Sequence, residues 1–161
     1  MSTQQCTSCS STACTSATCT NENVKKCNEI LEYLYDSRDG YQKSSEDVKD
    51  VTLKQLYLTI AQRRNQMVTD LHLLIKQSGV QPIESGSMTA AAHRTWIDFK
   101  TLVTGSDRQA VIAEIKRGES YLIEKYESFL KSTSLPETFQ QLLKRQLKEI
   151  EEQVASVDQM K

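Results

Sequence analysis

At 161 residues, with 38% hydrophobic and 25% charged side chains, the chain has the size and composition of one globular domain with a core. Its formal net charge of -1 and pI of about 6.1 leave no basic excess to hold a nucleic acid or an anionic membrane. No apolar run approaches the ~20 residues that span a bilayer. The first residues, Met1 to Gln5, carry neither the basic nor the apolar region of a secretory signal, so the expected compartment is the cytoplasm.

Residues 1–22 differ in kind from the rest. They are almost entirely Ser, Thr, Cys, Ala, Asn and Gln, without one Leu, Ile, Val, Phe, Trp or Tyr. Such a segment cannot bury enough apolar surface to offset its ordering entropy, which predicts a disordered tail. Cys6, Cys9, Cys14 and Cys19 lie in it. Cys6-x-x-Cys9 has the spacing of half a zinc site, and four thiolates can close a tetrahedral one. Against this, no His lies nearby, the later spacings do not help, and nothing apolar would shield the metal. The plainer reading is a flexible leader with free thiols. Redox capping of the thiols and a leader read by a secretion system are the remaining alternatives.

Residues 23–161 read as a helical domain. With only 5 Gly and 2 Pro, and little strand-like alternation, the punctuation is sparse and helical. A first helix is expected over about residues 23–48, with Val24, Cys27, Ile30, Leu34, Tyr41 and Val48 on one stripe. Cys27 is then a small core residue. After a break at Lys49-Asp50, a second helix runs over about residues 52–78 on Leu53, Leu56, Ile60, Met67, Leu71 and Leu74, with Gly79 as a C-cap candidate. Residues 80–86 form a loop. A shorter third helix, about residues 87–104, carries Ala92, Trp96, Phe99 and Val103 and ends at Gly105. Ser106 or Asp107 can cap a fourth, about residues 108–131, built on Ile112, Ile115, Leu122, Tyr126 and Leu130. Pro136 opens a fifth at its first turn, where a missing N–H costs nothing; its stripe is Phe139, Leu142, Leu143, Ile150, Val154 and Val157. Four long amphipathic helices and one short connecting helix make an all-α four-helix bundle with a crossover.

Three stretches carry a resemblance. They are Asp39-Gly40-Tyr41 followed by Ser45-Glu46-Asp47-Val48-Lys49-Asp50; then Ala92-His93-Arg94-Thr95-Trp96-Ile97-Asp98; then Lys116-Arg117-Gly118-Glu119 with Tyr126-Glu127. In this order and spacing, over about residues 24–158, the chain resembles a bacterial ferritin-like four-helix-bundle family of unknown function. The tail has no counterpart in that pattern. The resemblance implies two antiparallel helix pairs joined by a crossover, and no established activity.

The ferritin-like superfamily includes di-iron proteins, which place a carboxylate on each of two helices and a Glu-x-x-His pair on each of the other two. No Glu-x-x-His occurs in this chain, and its two histidines are His72 and His93. The apolar stripes are instead interrupted near their midpoints: by Ser37 and Arg38 on the first helix, Arg63 and Arg64 on the second, Glu119 on the fourth and Gln146 on the fifth. In an antiparallel bundle midpoints share a layer. A buried Glu119 paired with Arg64 or Arg63 would satisfy its carboxylate without metal. In the alternative, the arginines extend to solvent and Glu119 is half-buried. Asp39 and Glu46 point away from the apolar stripe.

His93-Arg94 beside Trp96 reads either as a ligand surface or, more simply, as a staple of the crossover helix with Trp96 as anchor. No Gly-rich phosphate loop or nucleophilic triad can be assembled. The mixed run from Lys144 to Glu152 reads as a solvated face. The first functional expectation is therefore a non-catalytic bundle without cofactor, an interaction or stress-related module with a protein partner or a second copy of itself. The tyrosines Tyr33, Tyr35 and Tyr57, off the main stripes, leave room for such a face. The second is a metalloprotein holding iron or another divalent metal through an incomplete set, Glu119 with His93 or Glu46. In a third, the tail cysteines are the active part.

Overall fold

A computed structural model of the chain describes residues 21–86, 107–132 and 135–160; of Asn21 and Ser132 only the backbone is described. Among these residues there are four helices and no strand: α1 (Asn21–Asp47), α2 (Val51–Gln77), α3 (Arg108–Ser132) and α4 (Glu137–Asp158). The tail over residues 1–20, with Cys6, Cys9, Cys14 and Cys19, lies outside the described residues. So does the expected short helix with His93, Arg94, Trp96 and Asp98.

The helix ends follow local chemistry. α1 begins two residues earlier than its stripe predicts, helped by an acidic first turn in which Glu22 pairs with Lys26 at 3.3 Å. Asp50 caps α2, its Oδ1 accepting from the backbone N–H of Thr52 at 2.8 Å and Leu53 at 3.1 Å. Those bonds hold its carboxyl below the usual range. α2 ends at Gly79, whose φ of 82° is the left-handed geometry that glycine adopts without a Cβ clash. Asp107 caps α3 through Gln109 N at 3.0 Å and Ala110 N at 3.2 Å. Pro136 sits one position earlier than expected, at the N-cap of α4, where its carbonyl accepts from Gln140 N at 3.1 Å.

Helix direction follows from which halves share a core. One apolar cluster joins Cys27 to Tyr35 of α1, Met67 to Ile75 of α2, Leu122 to Phe129 of α3 and Phe139 to Ile150 of α4. The other joins Tyr41 and Val48, Leu53 to Ala61, Val111 to Ile115, and Val157. α1 and α4 therefore run one way and α2 and α3 the other. α1 packs on α2 and α3, and α4 packs on α3 and α2, so every neighbouring pair is antiparallel. α2 ends in the first cluster and α3 begins in the second, so the helix ends that flank residues 78–107 lie at opposite ends of the bundle. The chain is an all-α four-helix bundle with one long crossover connection.

Two tyrosines correct the expected outer face. Tyr35 and Tyr57 are core residues, 6% and 0% exposed. A helix meeting two neighbours in a bundle buries a stripe at least about 100° wide, broader than a single seam, and both positions fall within it. Tyr33 is half-buried.

The start of the crossover lies tightly on α1. Ile83 N donates to Asn28 Oδ1 at 3.3 Å, and a Cβ at Gly86 would collide with the Asp36 carboxylate and lie 3.1 Å from Tyr35 Cβ. Burial, then the charges of Glu32 and Asp39, push the Asp36 carboxyl up to about 6. The fold thus keeps this proton to about pH 6, while an unfolded chain releases it near pH ~3.9. The stabilisation from this group is full below about pH 4 and is lost as pH rises through about 6. Asp36→Asn is expected to raise the melting temperature near neutral pH, with the gain shrinking towards about pH 4. Thermal melts of both proteins across that range check it; a lowered melting temperature at neutral pH would contradict the account.

Candidate functional site: a buried polar layer

The two apolar clusters are separated by polar side chains on all four helices. α2 turns Arg64 inward between Ile60 and Met67, and α3 turns Glu119 inward between Ile115 and Leu122. The guanidinium of Arg64 bonds Glu119 Oε2 directly, and the two side chains are 0% and 2% exposed. The other carboxylate oxygen, Oε1, accepts from the Tyr41 hydroxyl of α1 at 2.8 Å. Arg64 is held further by Nε donating to Ser37 Oγ at 3.2 Å and by a longer contact, 3.6 Å, to Met67 Sδ. Both oxygens of the carboxylate thus have partners, which is the condition under which a buried charge is tolerated. Burial, reinforced by the neighbouring Glu119 charge, pushes the Tyr41 phenol well up, so it stays a donor. Its ring lies 5.9 Å from that of Tyr57.

α4 supplies amides to either side of this pair. Gln146 is buried; its Oε1 accepts from the Tyr126 hydroxyl at 2.9 Å and its Nε2 donates to the Met67 carbonyl at 3.0 Å. One amide therefore ties α4 to both α3 and α2. Two turns on, Gln153 is also buried and accepts from Arg63 at 2.8 Å. A neutral amide suits these positions because it donates and accepts at once and brings no second charge into the core.

The residues singled out from sequence part company here. Arg64, Glu119 and Gln146 lie inside the bundle. Arg63 belongs to the flank and reaches inward only to Gln153. Arg38 does not join the layer. Its guanidinium bonds Asp39 at 2.7 Å, reaches Asn65 at 3.4 Å and lies 4.9 Å over the Tyr35 ring. The reason is angular: Ser37 and Tyr41, one turn apart, occupy the inward face of α1, and Arg38 sits 100° round from Ser37. Glu46 is exposed, as is Asp39, and His93 lies outside the described residues. Three residues of the network carry no charge that would have drawn notice: Tyr41, Tyr126 and Gln153. The available signal was tyrosine rather than phenylalanine at core positions, since a buried phenol hydroxyl usually has a partner.

This donor set does not fit a di-metal centre. Its one carboxylate is engaged on both oxygens, by a phenol hydroxyl and by a guanidinium. Among the described residues no three His, Cys, Asp or Glu side chains gather into a group that could hold a metal ion. No helix among them is long and apolar enough to cross a membrane.

Comparison with known proteins adds one match. The model of the family described as "Domain of unknown function (DUF2383)" covers residues 22–132, from the start of α1 to the end of α3, and so includes Tyr41, Arg64 and Glu119. No curated protein matches the chain. With most of its length inside that match, the chain belongs to the DUF2383 family, a domain of unknown function.

Proposed function

We propose that this chain is a ferritin-like bundle in which an internal ion pair stands where that fold can carry a di-metal centre, and that it works as a non-catalytic interaction or stress-related module. The observation that carries this reading is the Arg64–Glu119 pair with its Tyr41 hydrogen bond. The negative charge that a metal would neutralise is neutralised by the protein itself. The lengthwise crossover supports the ferritin-like part of the reading. Among the described residues the ionisable side chains of the layer are engaged with one another, which favours a working surface on the outside, towards a protein partner or a second copy.

The test is metal analysis of untagged full-length protein beside its Glu119→Gln variant. The expected result is no stoichiometric iron or manganese that depends on Glu119, and a melting temperature unchanged by chelator. Stoichiometric metal that disappears in Glu119→Gln would overturn the proposal in favour of a metalloprotein. Metal held equally by both would place a site elsewhere, the tail cysteines being the first place to look.

A further inference from the structure

Residues 80–86, which follow α2, are fixed to the bundle at three points. Val80 and Ile83 pack against the first apolar cluster, and Pro82 between them is buried. The Ile83 N–H donates to Asn28 Oδ1 of α1 at 3.3 Å. Two turns further along α1, the backbone of Gly86 lies against Tyr35 and the Asp36 carboxylate, so close that a Cβ would collide with the carboxylate and press on Tyr35 Cβ. The third point differs from the other two because the group beneath it can change its charge.

The charges around that group have one sign. Glu32 and Asp39 act on Asp36 from α1, and none of the charged groups acting on it comes from α2 or α3. Glu84 of the segment itself acts on the adjoining Tyr35 phenol. Arg38, two residues after Asp36, is committed elsewhere, to Asp39 at 2.7 Å, to Asn65 at 3.4 Å and to the face of the Tyr35 ring. No cation is among the groups that act on Asp36.

We propose that residues 80–86 form a pH-responsive strap, with the Asp36 carboxyl as the seat that sets how firmly it lies on α1. Gly86 covers the carboxyl, so seating the strap takes away water that an ionised carboxylate needs and a protonated carboxyl needs less. Burial first, then the two α1 carboxylates, accordingly push Asp36 up to about 6. A proton held more tightly in the seated state favours that state wherever the proton is on. Seating is therefore firmest below the ordinary carboxyl range, near pH ~4, and weakens as pH rises through about 6. One proton changes the seating constant by at most about tenfold per pH unit. Glu32 and Asp39 stay beside Asp36 when the strap lifts, so their share of the shift does not drive the release. Lifting uncovers the edge of the first cluster beneath Val80 and Ile83. Seating of the strap does not depend on what the central layer does.

Hydrogen exchange of the Ile83 amide in the full chain, followed by NMR and corrected for the intrinsic rate, reads the opening of the strap. Protection is expected to fall about tenfold between pH ~5 and ~7 in the wild type. In Asp36→Asn, which cannot ionise, it should stay high and flat over the same range. In Gly86→Ala, whose methyl group displaces the carboxyl, Ile83 protection should be low at every pH. The Asp36 titration midpoint, read from its side-chain NMR signal, should drop in that variant towards the ordinary carboxylate value. Circular dichroism checks the fold, and if Gly86→Ala does not fold the comparison with Asp36→Asn decides alone. Wild-type protection that does not change with pH, or that falls equally in Asp36→Asn, would overturn the proposal. So would an Asp36 midpoint unmoved in folded Gly86→Ala.

Discussion

Arg64→Met is expected to destabilise the protein by about 3–5 kcal/mol, the range for removing one partner of a buried ion pair. The size comes from what is left behind. Without the guanidinium, Glu119 keeps only the Tyr41 hydroxyl as a partner, inside a layer with no water contact of its own. Ser37 Oγ loses its donor as well. Glu119→Gln should be costly for the mirror reason: an amide of nearly the same shape retains the contact with Tyr41 but leaves the buried guanidinium without a counter-charge. Urea denaturation of each variant measures the loss. A midpoint change worth about 0.5 kcal/mol or less, the usual size of an exposed-site change, would mean that the two side chains reach water.

The second large effect is expected at Tyr126. Its ring is fully buried in the first cluster, and its hydroxyl donates to Gln146. Tyr126→Ala should cost about 3–5 kcal/mol, the range for emptying a large aromatic site. Tyr126→Phe retains the packing and removes the donor to Gln146 Oε1, which should cost about 1–3 kcal/mol. The difference between the two variants separates packing from hydrogen bonding. If Phe is neutral, the tie from α3 to α4 through Gln146 contributes nothing to stability. If Ala costs less than about 1 kcal/mol, the ring is not a core anchor.

The helices were legible because their signals are local. Apolar spacing, Asp50 and Asp107 before α2 and α3, and Gly79 after α2 each act within one or two turns of the chain. Glu119 and Gln146 stood out for a similar reason: each is a polar residue flanked on its own stripe by apolar ones. Their partners are a different matter. Arg63 and Arg64 are adjacent, and so are Ser37 and Arg38. Neighbours on a helix differ by 100°, which periodicity read to the nearest residue does not resolve. The tertiary contacts decided it, turning Arg64 and Ser37 inward and sending Arg38 to Asp39. Tyr41 was read as one more apolar stripe residue because its ring is apolar. Its role in the layer depends on Glu119, 78 positions away, and nothing local encodes that meeting. Tyr57 lies off the narrow apolar seam of α2, and packing against two neighbouring helices brings it inside.

The protein neutralises its own buried carboxylate with Arg64, and the double variant Arg64→Met/Glu119→Leu measures this. Two charges are removed together, so neither is stranded, and replacing a buried pair by apolar side chains of similar volume is often close to neutral. The account predicts that the double variant, compared by urea denaturation with wild type and the single variants Arg64→Met and Glu119→Leu, recovers a large part of the single-variant losses. The double variant is then less destabilised than the sum of the two singles by at least about 2–3 kcal/mol, the upper end of the range for side chains in contact. Losses that simply add, so that the double variant is as destabilised as the sum of the singles, would contradict it.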